Sequence, residues 1–320
     1  MRFALFCKSF GDDVERFARL CRSVRQHNAA ALPLIVSVPE HDRALFRRRF
    51  AGEHLTLVPD EEILPARESP ASRRALSGWR TQQLVKLNFV NLDLADAWLV
   101  VDSDFYFIRD FSTSDFIDGS GSVGFITSTM LHRYEGHESE IGLYLGGQSA
   151  GDDRFDILDS GPSSATTLGF APNGGASSAR SEPRFPWWLR ITDLFLRPSS
   201  MLRVLRPQRI FGRSGPYLNF MPGPIWTADS LRSLREDFLR PNGLQFADLI
   251  RLCPWESVWV GEWELFRGLP RRHLRAPCFL HFESDLGIAQ AKRAGLRVED
   301  FAARYLGLAL AARHQDALEY

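Results

Sequence analysis

The chain has 320 residues, 39 Lys+Arg against 39 Asp+Glu, and 44% hydrophobic residues. Zero formal charge gives no sign of a broad basic face for nucleic acid, and the apolar share argues against wholesale disorder. No 18-residue apolar run is present to span a bilayer, and the stretch from Met1 to Phe10 is too short for a secretory signal before Asp12 and Asp13.

Phe3 to Cys7 reads as a strand and Lys8 to Asp12 as a turn. A helix follows from Asp13, with Val14, Phe17, Ala18 and Cys21 at one-face spacing. Leu32 to Val38 and Leu55 to Val58 are further strands, separated by a charged segment carrying Leu45, Phe46 and Phe50. Strands alternating with helices predict a parallel sheet wound as βαβ units. Trp79 to Leu94 is expected to be helical, with Trp79, Gln83, Lys86 and Val90 on one stripe. The amide and the ammonium need partners if that stripe is covered; otherwise it is a solvated edge.

Trp98 to Val101 are four consecutive apolar residues, the pattern of a strand buried on both faces. They run directly into Asp102-Ser103-Asp104. In an extended segment the two aspartates project to one side, at the carboxyl edge where open α/β sheets bind ligands. Two close carboxylates repel unless they share a proton or a cation, and a hard ion such as Mg²⁺ or Mn²⁺ suits them.

The remainder is less regular. Residues 145–184 are rich in Gly and Ser and are expected to form an extended loop. Order is expected to return near Trp187, with helical spacing through Leu189, Leu194 and Leu196. Tyr217 to Trp226 reads as strand and turn, and Val298 to His314 as an amphipathic helix. The four cysteines, Cys7, Cys21, Cys253 and Cys278, lack CxxC or zinc-finger spacing, so free thiols and a cytoplasmic location are expected. No GxxxxGK[ST] and no G-x-S-x-G occurs, so neither P-loop nor nucleophile-elbow chemistry is supported.

The segments Trp79-Arg80-Thr81-Gln82-Gln83-Leu84-Val85-Lys86-Leu87 and WLVVDSDFYFIRDF (98–111) resemble the core of bacterial GT-A-type glycosyltransferases, within a poorly characterised group associated with polysaccharide biosynthesis. KSFGDDVERFARLCRSVRQHN (8–28), LPLIVSVPEHDRALF (32–46) and Gly261-Glu262-Trp263-Glu264-Leu265-Phe266 are similar to other parts of that group. The likeness covers most of the first 128 residues and returns in patches to about residue 283. It implies an α/β fold with a mixed, mainly parallel sheet flanked by helices. Residues 1–128 would be a nucleotide-sugar-binding half and 129–320 an acceptor-binding half of one continuous domain.

The implied activity is sugar transfer from a nucleotide-sugar donor to a glycan or lipid-linked acceptor. Asp102 and Asp104 would hold Mn²⁺ or Mg²⁺ on the donor diphosphate, with His281 as a third ligand. Lys86, Gln82, Gln83, Ser9 and Asp12 are the implied donor-side contacts. Glu262 and Glu264, among Trp255, Trp259, Trp263 and Phe266, are candidates for the catalytic base, with Asp229 and Glu256 left open. Asn219, in the turn with Pro222, Gly223 and Pro224, is a candidate acceptor contact. Arg47 to Arg49 and Arg271 to Arg275 are local basic patches for peripheral membrane contact.

Two other readings stay open. A phosphohydrolase of the haloacid dehalogenase type would use Asp102 as a nucleophile, although that motif normally lies on a first strand. A non-catalytic sugar- or nucleotide-binding module is the other.

Overall fold

The computed structural model describes residues 1–64, 78–129, 200–213, 218–282 and 285–310. The Gly/Ser-rich stretch at 145–184, the segment at 187–196, Tyr217 and residues 311–314 lie outside them.

The N-terminal third alternates as its pattern predicts: β1 (Phe3–Lys8), α1 (Val14–His27), β2 (Leu34–Val38), α2 (Glu40–Arg49), β3 (Leu55–Pro59) and α3 (Asp60–Ile63). Then come α4 (Gly78–Asn88), β4 (Ala97–Asp102) and β5 (Phe105–Phe107). The main sheet has the order β3-β2-β1-β4-β9, where β9 is Ile225–Thr227. Its first four strands are parallel and β9 is antiparallel to β4, with Trp98 opposite Trp226. The expected α/β class, a mixed and mainly parallel sheet flanked by helices, is the one observed.

Every residue of β1 is buried, which explains its unbroken apolar run. Alternate side chains serve two cores. Ala4, Phe6, Trp98 and Val100 face one, packed against α4, α6 (Ala228–Ser233), α7 (Phe246–Leu252) and α8 (Glu256–Phe266). Phe3, Leu5, Cys7, Leu99 and Val101 face the other, which α1 covers with Phe17, Leu20, Cys21 and Val24.

Between α4 and α6 the described elements include β6 (Val123–Ile126), β7 (Ser128–Thr129), α5 (Ser200–Ile210) and β8 (Leu218–Asn219). After α8 come β10 (Arg272–Arg275), β11 (Phe279–Phe282), α9 (Asp285–Arg293), α10 (Val298–Ala302) and β12 (Gly307–Leu310). A second sheet, β11-β12-β5, joins the chain directly after Asp104 to the C-terminal region.

Two element boundaries differ from the sequence expectation. The helix beginning near Trp79 stops at Asn88, passes into a 3₁₀ turn at Phe89–Leu92, and ends where Asp93 takes a left-handed backbone (φ 50°). The tail expected as one helix from Val298 to His314 is helical only to Ala302, then forms β12. Tertiary pairing overrides the helical pattern there. A Cβ at Gly307 would lie 2.4 Å from the Tyr106 carbonyl oxygen, so glycine lets this strand approach β5. The turn after β8 contains a cis Met221–Pro222 bond and Gly223 at φ 68°, whose missing side chain makes room for Phe279.

Candidate functional site

β1 and β4 end side by side, with Lys8 opposite Asp102 in register. The chain turns immediately after Asp102, so Asp104 sits in the turn before β5 rather than on the strand. Ser103 is directed inward, donating to Ser9 Oγ at 3.0 Å, which ties the two loops of the edge together. Asp42 of α2 clamps the first loop by accepting from Gly11 N at 2.7 Å. Asp12 in that loop is exposed, while its neighbour Asp13 is half-buried and paired with Arg16.

The centre of this edge is Lys86. It projects from α4 into a buried position, with its Nζ 2.7 Å from Asp102 Oδ1 and 3.3 Å from Glu256 Oε1. The Lys86 and Glu256 side chains are 3% and 5% exposed, whereas Asp102 is 33% exposed and opens toward solvent. With its amide nitrogen turned toward Glu256, Gln83 donates at 2.6 and 2.8 Å and accepts from Trp79 Nε1 at 3.1 Å. The stripe on α4 is therefore covered, and its amide and ammonium have partners. Gln82 is half-buried beside it.

Burial opposes the charge on Lys86, but Asp102 and Glu256 outweigh it and hold its pKa above the usual lysine value. The ammonium is consequently retained throughout the neutral range. Burial raises the Glu256 carboxyl, with Lys86 pulling the other way. Asp104 is pushed up to about 7, first by burial and then by the charge on Asp102. Its Oδ1 is buried with no hydrogen-bond partner among the described residues. A second buried ion pair lies alongside: Lys8 Nζ is 3.1 Å from Asp60 Oδ2 and also donates to the Ser9 carbonyl, while Ser37 donates to Asp60.

An orphaned carboxylate oxygen beside a partly exposed carboxylate is the donor chemistry a hard divalent cation takes. Asp102 and Asp104 therefore fit such an ion. His281 lies on β11, opposite Ala309 of β12, which in turn lies opposite Phe105 of β5. Two strand spacings, about 10 Å, separate its backbone from that of β5. Among the described residues no three His, Cys, Asp or Glu side chains converge as a metal-binding group.

The two glutamates named as candidates for the base lie further along α8 than the Asp102 edge, each in an ion pair. Glu262 is fully buried and receives two hydrogen bonds from Arg213, at 2.6 and 2.7 Å. Glu264 pairs with Arg272 at 3.0 Å, both side chains being 2% exposed. They follow Glu256 on α8 by six and eight residues, about 9 and 12 Å along the axis. It is Glu256, at the first turn of that helix, that reaches the Asp102 edge. Asn219 is occupied by its own turn, donating to the Met221 carbonyl at 3.1 Å and accepting from Met221 N at 3.2 Å. Arg272 is buried, so the stretch from Arg271 to Arg275 is not a continuous surface patch; in the other patch, Arg49 is 3.2 Å from Glu15.

Sequence reasoning did not single out Asp13, Lys8 or Asp60. Lys8 carried one usable signal, a charge at the end of a strand otherwise buried on both faces. Among the described residues no helix is long and apolar enough to cross a membrane. No curated protein matches the chain. A model of a family of unknown function, DUF6492, matches residues 5–142, a span that carries the first loop, Lys86, Asp102 and Asp104, so over this stretch the chain is similar to that family.

Proposed function

We propose that this protein is a divalent-metal-dependent glycosyltransferase of GT-A type. It would move a sugar from a nucleotide-sugar donor to a glycan or lipid-linked acceptor in polysaccharide or surface-glycan biosynthesis. The reading rests on one observation above others: an Asp102-x-Asp104 pair at the carboxyl edge of a buried strand, in which Asp104 keeps a buried carboxylate oxygen with no partner among the described residues. Asp102 and Asp104 would hold Mn²⁺ or Mg²⁺, which when bound neutralises charge growing on a departing diphosphate.

The chain's own residues supply the rest. Lys86 bridges Asp102 and Glu256, 2.7 and 3.3 Å from its Nζ. Ser9 and Ser103 fix the loops on either side of the edge. Trp79, 47% exposed, stands edge-on to Trp255 at 6.2 Å and offers an aromatic face against which the C–H face of a sugar stacks. Four buried free thiols support a reducing, cytoplasmic setting.

The test is incubation with a panel of nucleotide sugars and Mn²⁺. The reading predicts release of a nucleoside diphosphate, slow without acceptor, lost with EDTA and in Asp102→Asn or Asp104→Asn. Release of inorganic phosphate from phosphomonoesters, with phosphate trapped covalently on Asp102, would favour the phosphohydrolase instead. Donor binding without turnover would favour a binding module.

A further inference from the structure

We propose that Lys86 is a resident surrogate for the divalent cation, and that Glu256 is the berth to which its ammonium withdraws when the cation arrives. The proposal rests on the metal reading of Asp102 and Asp104 and adds a mechanism by which the site accepts and surrenders its ion.

Three features support it. First, Lys86 Nζ lies within ion-pair distance of two carboxylates at once, 2.7 Å from Asp102 and 3.3 Å from Glu256. Only a small shift separates sharing the two from belonging to Glu256 alone. A flexible four-carbon stem ending in a compact ammonium makes that movement feasible, where a planar guanidinium would be locked.

Second, with its three carboxylates ionised the cluster around Lys86 is two positive charges short. Asp13 is matched by Arg16 and Asp60 by Lys8. Of the remaining groups, Asp102, Asp104 and Glu256 carry three negative charges when ionised, and Lys86 carries one positive. The difference is the charge of one divalent cation.

Third, Glu256 is built as a fixed post. It is buried at the start of α8, and the Gln83 amide holds both of its oxygens at 2.6 and 2.8 Å, with Trp79 steadying that amide from the other side. The lysine moves and the glutamate does not. Lys86 and Glu256 are thus positioning residues, acting on the cation through Asp102.

Mn²⁺ binding by the full chain, with the metal alone and no nucleotide, tests this by electron paramagnetic resonance of the free ion. Wild type, Lys86→Met, Glu256→Gln and the double variant are compared, each checked for its fold by circular dichroism. Lys86→Gln replaces Lys86→Met should the latter not fold. Removing the competitor is expected to tighten Mn²⁺ by about tenfold or more, whereas removing its berth weakens Mn²⁺ several-fold. In the Lys86→Met background, Glu256→Gln should cost much less than it does alone, because Glu256 acts through Lys86. Equal affinity in wild type and Lys86→Met would overturn the proposal. So would an equal Glu256→Gln penalty in both backgrounds, the signature of a simple field effect. Absence of Mn²⁺ binding from all four proteins would overturn the metal reading itself, and the proposal with it.

Discussion

Replacing Arg272 by methionine separates a structural role for Glu264 from a catalytic one. The Arg272 guanidinium is 3.0 Å from Glu264 Oε1 and donates to the carbonyls of Gly124 and Ile225, both at 2.7 Å, and of Val123 at 3.2 Å. Both partners are 2% exposed, so Arg272→Met leaves a buried carboxylate without its cation and removes a donor from three strand carbonyls. Breaking a buried pair from one side costs about 3–5 kcal/mol, whereas replacing both partners with apolar groups is close to neutral. Urea denaturation should therefore show Arg272→Met losing about 3–5 kcal/mol, with Glu264→Leu added in the same chain recovering much of it. The Val123 and Gly124 carbonyls belong to β6 and the Ile225 carbonyl to β9, so this one side chain ties α8 to two strands. A loss below about 1 kcal/mol for Arg272→Met would show that the pair does not hold these elements together.

Three further outcomes follow from the structure. Asp104 has a folded-state pKa raised to about 7, so its own contribution to the stability of the metal-free protein is fully present below the unfolded value near 4 and is lost as pH rises through 7. Asp104→Asn should flatten that decline in thermal unfolding scans across pH 4–8. Gly261→Ala should lose about 1–3 kcal/mol by overpacking, because its Cβ would lie 2.4 Å from the Phe220 ring; an unchanged urea midpoint would contradict the packing of α8 against that ring. All four cysteines are buried, and Cys21 and Cys278 are each pushed up to about 11, first by burial. A thiol reagent at pH 8 should label essentially none of them in the native protein and all four after unfolding.

The first three strands and their helices were legible because each is specified locally, by a buried strand run or a one-face helical stripe. The D-x-D edge was legible for the same reason, since four apolar residues leading into two acids announce a strand leaving the sheet. The α4 stripe was half legible. Its Gln83 and Lys86 declared a need for partners, but the partner Glu256 lies 170 residues from Lys86 and nothing in the intervening pattern joins them. The partners of Glu262 and Glu264 were not legible for a related reason. Acids among tryptophans suit a raised-pKa base and a buried ion pair equally, and only the fold brings Arg213 and Arg272 to them. The tail departed from its helical pattern because β12 finds pairing on both sides, with β5 and β11, an advantage that helical spacing does not encode.

Thermal unfolding with nucleoside diphosphates, with and without Mn²⁺, tests whether Asp102 and Asp104 hold a cation which in turn holds a diphosphate. At 100 times its dissociation constant a ligand adds about 2.7 kcal/mol to stability, a readily measured shift. Stabilisation by one nucleoside diphosphate is expected only when Mn²⁺ is present, and is abolished in Asp104→Asn. Stabilisation that is indifferent to Mn²⁺, or that persists undiminished in Asp104→Asn, would contradict that assignment.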